Sequence, residues 1–505
     1  MKNVLEFLEE TERKYPERIA VEDETICFKW CELKTFAQRI GSFFCKVCDA
    51  QKPVAIVAEK STFTLAAMLG VVYAGCFYVI VDPSLPVGRV KDIFEVLEPE
   101  AVLIQKEENR DIVEKTGYEG NVFILNQILS TEICNSDLDE RRTDSRETDL
   151  LYGIFTSGST GKPKGVVVSH KAVIDFIISF AYTFEISLND SIGNQAPFDF
   201  DVSVKDIYSS LATGARLVLI PKTLFSLPPL LLDYICERKV TVLIWAASAL
   251  GMVAALKGLE YKIPDRVRKI FFSGEVLPVK LLRRWQTALP YTEFVNLYGP
   301  TEITCNCTYY PIKRIFHEEE KIPIGKPFPG RSVFLVDEYG NKITLSGEKG
   351  EICVSGESLA AGYYHNETET DKRFRICTFD GVKSRCYFTG DLGYYGADGM
   401  LYFAGRKDFQ IKHMGHRIEL EEIESVIQQV EDVQKCCCLV DERKNKLTAF
   451  YLGDADKKDI RKYLKEKLPP YMIPHTVLKT DKMPLNKNGK IDRNYLQNKL
   501  ETAIC

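Results

Sequence analysis

The chain has 505 residues with 45% hydrophobic and 27% charged side chains, and its formal net charge at pH 7 is −5. This composition is typical of a folded protein of several domains and excludes a disordered, collagen-like or coiled-coil chain. No basic block suits a phosphate backbone, so we expect no nucleic-acid partner. The N-terminus lacks the apolar core of a signal peptide, so the sequence predicts a cytoplasmic protein with reduced cysteines.

One apolar run, over residues 65–81, is at the lower edge of the length that a membrane span requires. Gly70 and Gly75 interrupt this run, its second half is rich in β-branched and aromatic residues, and Asp82-Pro83 ends it. These features predict a buried helix that is followed by a buried strand, and therefore no membrane span.

The first part of the chain alternates strands with helices. Strand-length apolar runs begin at Val54, Ala101, Asn121, Arg216 and Val240, and amphipathic helical stretches separate them. This alternation predicts an α/β fold with mostly parallel sheets. Residues 131–149 are polar and lack periodicity, so we expect an exposed connector there.

The pattern changes in the last third of the chain. After residue 320, short strands and glycine turns predict a smaller β-rich subdomain. A final module begins near Gly405 and contains a Glu-rich helix, short strands near Cys436 and Leu447, a second helix and a Pro/Asn/Gly loop. The sequence therefore predicts a large domain over 1–406 and a small α+β domain over 407–505.

The segment with the most chemical information is Leu151–Val168, LYGIFTSGSTGKPKGVVV. Its glycines and hydroxyls allow backbone N–H groups to approach phosphate oxygens, and its lysines add positive charge. It is not a Walker loop, because Pro163 follows Lys162 where a magnesium-binding Ser or Thr would begin a helix. The candidate phosphate-binding residues are Thr156, Ser157, Gly158, Ser159, Thr160, Gly161, Lys162 and Lys164.

This loop resembles the phosphate loop of the adenylate-forming superfamily, which includes amino-acid adenylation domains, acyl-CoA synthetases and firefly luciferase. Six further segments match the superfamily in its order: FDFDVSVKDIY from Phe198, SGEVLP from Ser273, NLYGPTE from Asn296, YFTGDLG from Tyr387, GRKDFQIKHMGHRIELEEIE from Gly405 and PLNKNGKID from Pro484. In amino-acid sequence these segments are most similar to stand-alone amino-acid adenylation enzymes of the nonribosomal peptide synthetase and D-alanine-carrier protein ligase type. The resemblance implies a large N-terminal domain with two α/β sheets and a β-rich subdomain, and a small mobile C-terminal domain.

The resemblance also implies the reaction. A substrate carboxylate attacks the α-phosphate of ATP, pyrophosphate leaves, and an acyl adenylate forms, so positioned cations and donors are needed where negative charge collects. Lys490 would reach the carboxylate and the phosphate, and Glu302, after Thr301, would bind Mg²⁺ through its oxygens. The other residues that the resemblance assigns to the nucleotide are Gly274, Glu275, Asn296 on the adenine edge, Tyr298 stacked on adenine, Gly299, Asp391 on the ribose hydroxyls and Arg406 near the ribose.

By the same resemblance, Asp201 would pair with the α-ammonium group of an amino acid; its simpler interpretation is a residue favoured at a helix N-terminus. Lys205 stands where the D-alanine enzymes have an apolar residue, and Ser273 where they have cysteine. Lys205 could bind a substrate carboxylate, could fill the pocket and restrict it to alanine, glycine or serine, or could pair with Asp201 along a helix. The remaining predicted pocket residues are Val202, Ile244, Phe271, Leu297, Cys305 and Asn306.

The second step is also an expectation from the resemblance. Asp408 would be the hinge about which the C-terminal domain rotates, and Lys412 and Gly415 would serve the thiol-accepting step. The chain contains no carrier or condensation motif, so the expected acceptor is the phosphopantetheine thiol of a separate carrier protein, with coenzyme A as the alternative. An acyl-CoA or aryl-acid ligase and a non-catalytic scaffold remain the competing interpretations. We expect a monomer.

Overall fold

We analysed a computed structural model, which describes residues 1–158, 162–379, 381–413, 416–441, 446–485 and 491–502. The helices are α1 (Leu5–Lys14), α2 (Trp30–Val47), α3 (Thr62–Tyr73), α4 (Val87–Leu97), α5 (Arg110–Lys115), α6 (Leu125–Ile128), α7 (Asn135–Asp144), α8 (His170–Thr183), α9 (Val202–Thr213), α10 (Pro228–Glu237), α11 (Ala247–Ala255), α12 (Gly258–Tyr261), α13 (Val279–Ala288), α14 (Glu367–Arg373), α15 (Leu420–Gln428), α16 (Lys457–Lys467) and α17 (Arg493–Thr502).

The strands follow the same chain order. They are β1 (Ile19–Glu22), β2 (Cys27–Lys29), β3 (Pro53–Val57), β4 (Phe77–Val81), β5 (Ala101–Ile104), β6 (Asn121–Ile124), β7 (Leu150–Thr156), β8 (Lys164–Ser169), β9 (Ser191–Asn194), β10 (Arg216–Leu219), β11 (Val242–Ala246), β12 (Lys269–Ser273), β13 (Glu293–Tyr298), β14 (Thr308–Pro311), β15 (Lys326–Pro327), β16 (Arg331–Val336), β17 (Lys342–Ile343), β18 (Lys349–Gly356), β19 (Gly362–Tyr363), β20 (Phe374–Phe379), β21 (Val382–Tyr395), β22 (Leu401–Arg406), β23 (Gln410–His413), β24 (His416–Glu419), β25 (Val433–Asp441), β26 (Lys446–Gly453) and β27 (Thr476–Lys479).

The first large sheet has the order β19-β8-β7-β4-β3-β5-β6, and its strands from β7 to the edge strand β6 run parallel. β3 and β4 are buried along their whole length, as continuous apolar strands in a covered parallel sheet should be. The apolar run over residues 65–81 forms α3 and then β4, as predicted. Gly70 lets α3 approach α2, since a Cβ there would lie 2.5 Å from a side-chain carbon of Ile40. No helix in the described part of the chain is long and apolar enough to cross a membrane.

The second large sheet has the order β15-β14-β13-β12-β11-β9-β10-β1-β2 and is parallel from β13 to β1. Helices α8 and α9 pack against each other, and one continuous hydrophobic core joins residues of both large sheets. The predicted α/β architecture is therefore correct. The predicted connector over 131–149 is only partly right, because residues Asn135–Asp144 form α7, which buries Leu138 against the core.

The β-rich subdomain is also present, as a sheet of order β17-β16-β18-β21-β20 in which β22 pairs with β21. The last part of the chain forms the hairpin β23–β24, the sheet β25-β26-β27 and the helices α15, α16 and α17 around a core of its own. This is the predicted small α+β domain. Strand β22 ends at Arg406 and β23 begins at Gln410, and the exact domain boundary at 406/407 stays a prediction.

Candidate active site

The candidate site lies where the large and small domains meet. Its walls are the β7–β8 hairpin, the turn after β13, the β21–β22 pair and the β23–β24 hairpin of the small domain. Of these walls, the turn after β13 follows the carboxyl end of a parallel strand of the second large sheet, where α/β proteins bind their ligands. Ser159, Thr160, Gly161, Gly415 and Lys490 lie outside the described residues, so the structure does not place them.

Three predicted nucleotide residues are in direct contact. The Tyr298 hydroxyl donates to Asp391 Oδ2 at 2.5 Å, and Arg406 Nη1 donates to Asp391 Oδ1. Arg406 also donates to both carboxylate oxygens of Asp408, at 2.6 and 2.9 Å. Burial and the Asp391 carboxylate raise the pKa of Tyr298, so its hydroxyl stays protonated and donates. The group offers a buried carboxylate beside an aromatic ring, which suits a nucleoside.

Two predicted nucleotide-binding glycines, Gly274 and Gly299, differ in the space around them. Gly274 has a φ of +93°, and a Cβ there would meet no atom within 4 Å, so the chain leaves open space above it. A Cβ on Gly299 would lie 2.5 Å from the α-carbon of Asn306, so only glycine allows these two turns to pack. The Asn296 amide nitrogen donates to the Pro323 carbonyl at 2.8 Å, which uses one of its two N–H groups. Glu275, next to Gly274, is half-buried.

The two lysines of the phosphate loop, Lys162 and Lys164, differ in their exposure and in their ion-pair partners. Lys164 Nζ forms an ion pair with Glu369 at 3.0 Å and lies 5.8 Å from the centre of the Tyr363 ring. Lys162 is exposed and forms an ion pair with Glu95 of α4 at 3.1 Å. Thr156 is half-buried at the end of β7, and Ser157 and Gly158 are buried. Of the two lysines, Lys164 is therefore the one that the fold holds in a largely buried position.

Glu302, the predicted metal ligand, has no exposed surface and sits in a short helical turn beside the half-buried Thr301. Its carboxylate accepts from Arg417 Nη1 at 2.7 and 2.8 Å and from the Tyr363 hydroxyl at 2.7 Å. Burial alone would raise the pKa of Glu302, but Arg417 and Tyr363 lower it to about 2. An ionised carboxylate supplies the hard oxygen ligands that Mg²⁺ takes, so Glu302 fits the metal once Arg417 is withdrawn.

The small domain caps the phosphate loop through contacts that the sequence analysis missed. The Ser157 hydroxyl donates to the Arg417 carbonyl at 2.9 Å and accepts from the Glu419 N–H at 3.1 Å. The Gly158 N–H donates to Glu422 Oε2 at 3.2 Å. Arg89 of α4 completes the cap with a buried ion pair to Glu422 Oε1 at 2.6 Å. The available signal was the charged stretch RIELEEIE, which ends the matched segment from Gly405.

Lys412 and Arg417 lie opposite each other in the β23–β24 hairpin, so both project from one face of it. Lys412 keeps solvent-accessible surface and makes no hydrogen bond or ion pair within the described residues. The surrounding protein lowers its pKa by desolvation, while the carboxylates of Asp391 and Asp201 raise it. The hairpin thus places Lys412 on the same face as Arg417, where its charge interacts with the carboxylates of Asp391 and Asp201.

Asp201 immediately precedes α9 and is half-buried, but its side chain does not cap the helix. Within the described residues its carboxylate makes no hydrogen bond or ion pair, so the simpler interpretation as a helix cap does not hold. The Cys305 thiol donates to the Asp201 carbonyl at 2.9 Å. Thr304 and Cys305 have φ of +54° and +74°, a conformation that side chains adopt at a cost and that this contact helps to hold.

Lys205 does not pair with Asp201, so this one of the interpretations that the sequence left open does not hold. Its ammonium instead donates to Asn306 Oδ1 at 2.7 Å, and the residue has no exposed surface. Asp201 lies one residue before the helix begins, so the geometry of positions i and i+4 on a helix surface does not apply to it. Lys205 is packed against the turn after β13, with its charge directed to a neutral amide.

The other predicted pocket residues come from neighbouring strands. Ile244 of β11 pairs with Phe271 of β12, and Ser273 ends β12 opposite Ala246. Ile244, Phe271, Leu297 and Cys305 belong to one buried cluster, and Val202 begins α9 half-buried. Polar groups that the sequence analysis did not single out lie behind α9: Lys60 donates to Asn194 and Gln195, and Asn194 donates to Asp206 at 2.6 Å.

A model of the AMP-binding enzyme family matches residues 8–364, and a model of the AMP-binding enzyme C-terminal domain matches residues 422–490. The D-alanine–D-alanyl carrier protein ligase of Listeria monocytogenes is 33% identical over 514 residues, which cover 99% of this chain and 99% of that one. Tyrocidine synthase 1 of Brevibacillus parabrevis is 32% identical over 98% of this chain, but the match spans only 45% of the synthase. The adenylation domain AlmE of Vibrio cholerae, solved with glycyl-adenosine-5'-phosphate, has a TM-score of 0.85 at 22% identity over 99% of this chain and 98% of that one, which shows a shared fold.

The fold and the cleft between its two domains define an adenylate-forming enzyme of the ligase class. The chain belongs to the AMP-binding enzyme family, whose members use ATP.

Proposed function

We propose that the protein uses ATP to convert an amino acid into an aminoacyl adenylate, and then transfers the aminoacyl group to the phosphopantetheine thiol of a separate carrier protein. One observation carries the proposal for an amino acid: Asp201 is a half-buried carboxylate without a hydrogen-bond or ion-pair partner among the described residues. A carboxylate in such a position needs a cation, and the α-ammonium group of an amino acid supplies one. The D-alanyl carrier protein ligase relatives support both the substrate class and the acceptor.

In the first half-reaction an oxygen of the amino-acid carboxylate attacks the α-phosphorus of ATP, and the bond to the bridging oxygen of pyrophosphate breaks. Tyr298, Asp391 and Arg406 would hold the nucleoside, and Ser157, Gly158 and Lys164 would hold the phosphates. Glu302 would hold Mg²⁺, which when bound neutralises phosphate charge. Lys490 would donate to the carboxylate and the α-phosphate where negative charge accumulates.

In the second half-reaction a thiolate attacks the carbonyl carbon of the adenylate, and AMP leaves with the bonding electron pair. Lys412 faces the carboxylates of Asp391 and Asp201, which flank the place where the adenylate would lie. Its ammonium would stabilise the negative charge on the carbonyl oxygen and on the departing phosphate. Asp408 would act as the hinge between the domain of residues 1–406 and that of residues 407–505.

For the side chain of the substrate we propose a small one, as in glycine, alanine or serine. Lys205 has no exposed surface and its ammonium is bonded to Asn306, so its stem occupies the end of the pocket. A substrate carboxylate at this point would have to displace Asn306 and enter a filled space. The bulk of the lysine, rather than its charge, is therefore the property that we expect to select the substrate.

The test is amino-acid-dependent ATP–pyrophosphate exchange over the proteinogenic L-amino acids, D-alanine and several carboxylic acids without an amine. Lys490→Ala and Asp201→Asn serve as controls. We expect exchange with a small amino acid, lost in Lys490→Ala and strongly reduced in Asp201→Asn. Exchange only with acids that lack an amine would contradict the proposal and indicate an acyl or aryl-acid ligase, and a protein that binds no ATP would be a scaffold.

The acceptor requires a separate measurement. Wild-type protein is loaded with radiolabelled amino acid and ATP, and label on a phosphopantetheinylated carrier protein is compared with formation of the coenzyme A thioester. Label on the carrier supports the proposal, and transfer only to coenzyme A contradicts the acceptor that we propose.

A further inference from the structure

The loop that carries Asp201 is closed at its base by one buried hydrogen bond. Strand β9 ends at Asn194 and α9 begins at Val202, and Asp201 lies in the connection between them. The side-chain nitrogen of Asn194 donates to Asp206 Oδ2 of α9 at 2.6 Å, and neither of these two residues has exposed surface. The bond joins the strand end to the helix, so it holds the two ends of the loop together.

Lys60 holds the same strand end from the other large sheet. It follows β3 of the first large sheet, and its half-buried side chain reaches the end of β9 in the second. Its ammonium donates to the Asn194 carbonyl at 3.3 Å, to Asn194 Oδ1 at 3.1 Å and to the Gln195 carbonyl at 2.8 Å. The three N–H groups of an ammonium match these three acceptors in number. Because Lys60 binds the oxygen of the Asn194 amide, it also orients the nitrogen that donates to Asp206.

Further contacts connect this base to Asp201. The Ala246 N–H donates to Gln195 Oε1 at 3.2 Å, which ties the start of the loop to the end of β11. At the other end of the loop the Cys305 thiol donates to the Asp201 carbonyl at 2.9 Å. The Asp201 carboxylate itself has no hydrogen-bond or ion-pair partner among the described residues. Its position is therefore set by the backbone that carries it.

We propose that Lys60 is a positioning residue for Asp201: its ammonium holds the end of β9 and, through Asn194, the helix α9, so that the Asp201 carboxylate lies where the α-ammonium group of the substrate binds. The inference rests on the proposed function, because it takes Asp201 as the partner of that group. Lys60 acts through Asn194 and Gln195 and not through contact with the amino acid. Its removal should therefore weaken binding of the amino acid and leave binding of ATP unchanged.

The protonation state of Lys60 gives this role a signature in the pH dependence. Desolvation lowers the pKa of Lys60 to about 7; the Asp206 carboxylate raises this pKa and the Lys222 ammonium lowers it. Desolvation also raises the pKa of Asp206 to about 8, while Asn194, Lys205 and Lys60 lower it. A neutral amine has two N–H groups instead of three and forms weaker hydrogen bonds, so one of the three acceptors loses its donor. The KM for the amino acid should therefore rise as the pH passes about 7.

The experiment measures ATP–pyrophosphate exchange by the full-length protein with the small amino acid that wild type activates. Lys60→Met keeps most of the stem and removes the ammonium, and we expect it to raise the KM for the amino acid by about tenfold or more, as the loss of charge-assisted hydrogen bonds predicts. The KM for ATP and the maximum rate should change little, because the lost interaction concerns binding of the amino acid. Lys106→Met is the matched control, since Lys106 is an exposed lysine after β5 of the same sheet, and it should change neither constant. A variant that is only less stable contains less active protein, so its maximum rate falls while its KM stays the same.

Two further variants keep the test independent of the folding of Lys60→Met. Lys222 is exposed, so Lys222→Met removes a surface charge; because this charge lowers the pKa of Lys60, its loss should move the rise of KM to higher pH. Asp206→Asn keeps an oxygen acceptor for Asn194 but removes the carboxylate that raises the pKa of Lys60, so it should move the rise to lower pH. Titration of the substrate's own ammonium group is the same for all variants and cancels in the comparison. A residue that serves only stability would not produce these opposite shifts.

The outcomes separate this inference from the proposed function. If wild type activates an amino acid and Lys60→Met has the same KM for it, or loses only maximum rate, Lys60 does not position Asp201 and the inference is wrong. A rise of KM that stays at the same pH in Lys222→Met and Asp206→Asn would overturn it equally, and these two shifts decide the question if Lys60→Met does not fold. A wild-type protein that activates no amino acid would overturn the proposed function and this inference with it.

Discussion

The role of Lys205 gives the sharpest prediction, because its two substitutions separate size from charge. Lys205→Ala removes the stem that we propose fills the end of the substrate pocket, while Lys205→Met keeps most of the stem and removes the ammonium. In wild type the ammonium is fully buried and donates to Asn306 Oδ1 at 2.7 Å. Loss of this donor leaves a buried amide oxygen without its partner, which costs about 1–3 kcal/mol of folding free energy in either variant.

The effect on substrate choice should differ between the two variants. In Lys205→Ala the freed space admits longer side chains, and each methylene that is accommodated contributes about 1–3 kcal/mol to transition-state binding, or about 10–200-fold in kcat/KM. We therefore expect Lys205→Ala to gain activity with valine or leucine while it retains the small substrate. Lys205→Met should retain the small substrate without this gain, because its stem still occupies the pocket.

The assay is ATP–pyrophosphate exchange with glycine, alanine, serine, valine, leucine, aspartate and glutamate, at matched concentrations of folded protein. The reasoning is refuted if wild type activates aspartate or glutamate and both variants lose that activity. In that case the ammonium of Lys205 binds a substrate carboxylate, and its bond to Asn306 exists only when the pocket holds no substrate.

The remaining predictions concern three other residues. Asp201→Asn should lower kcat/KM for the amino acid by a factor that corresponds to about 2–5 kcal/mol, the cost of breaking a buried charge pair, with AMP affinity unchanged in a direct binding titration; equal losses for amino acid and AMP would contradict the assignment. Lys412→Ala should slow single-turnover transfer from preformed adenylate to the carrier thiol at least tenfold while exchange continues, and loss of both steps alike would argue against a second-step role. His170 is buried with a pKa lowered by burial to about 3, and it accepts from the Val4 N–H at 3.3 Å. Between pH 6.5 and 3 the unfolded chain binds this proton and the folded chain does not, so stability should fall as the pH falls, by on the order of 4 kcal/mol in total. His170→Asn keeps an acceptor and should show a shallower fall of the urea midpoint over that range; an identical slope would show that His170 does not contribute.

The residues that we assign to the nucleotide could be proposed from the sequence because they occur in short motifs that resemble those of the superfamily. Tyr298, Asp391 and Arg406 stand far apart in the chain, yet the structure joins them through hydrogen bonds to one carboxylate. Tyr298 ends β13 of the second large sheet, whereas Asp391 and Arg406 are paired across β21 and β22 of the β-rich subdomain. The resemblance of their motifs to the superfamily predicted these residues, and the structure shows the contact between them.

The sequence analysis failed where a side chain has a choice of partners. The spacing of Asp201 and Lys205 indicated an ion pair, but Asn306, about a hundred residues later in the chain, provides the acceptor. The connector over 131–149 looked irregular because its helix α7 buries only Leu138, and the Arg141 guanidinium of that helix donates to the carbonyls of Cys45 and Cys48 at the end of α2. Contacts of this kind depend on tertiary packing and leave no periodic signal.

By itself the sequence determined the α/β class and the division into a large and a small domain, which follow from hydrophobic periodicity, a local property of the chain. The place of Glu302, Asp391 and Arg406 in one nucleotide site stays a prediction from the resemblance of their motifs to the superfamily. Only the tertiary structure decided that Arg417 of the small domain donates to Glu302, that Glu422 accepts from the Gly158 N–H, and that the charge of Lys205 is directed to Asn306. The physical reason is that a buried charge is stabilised by whichever opposite charge or acceptor the fold places within a few ångströms, and that neighbour is set by packing between distant segments.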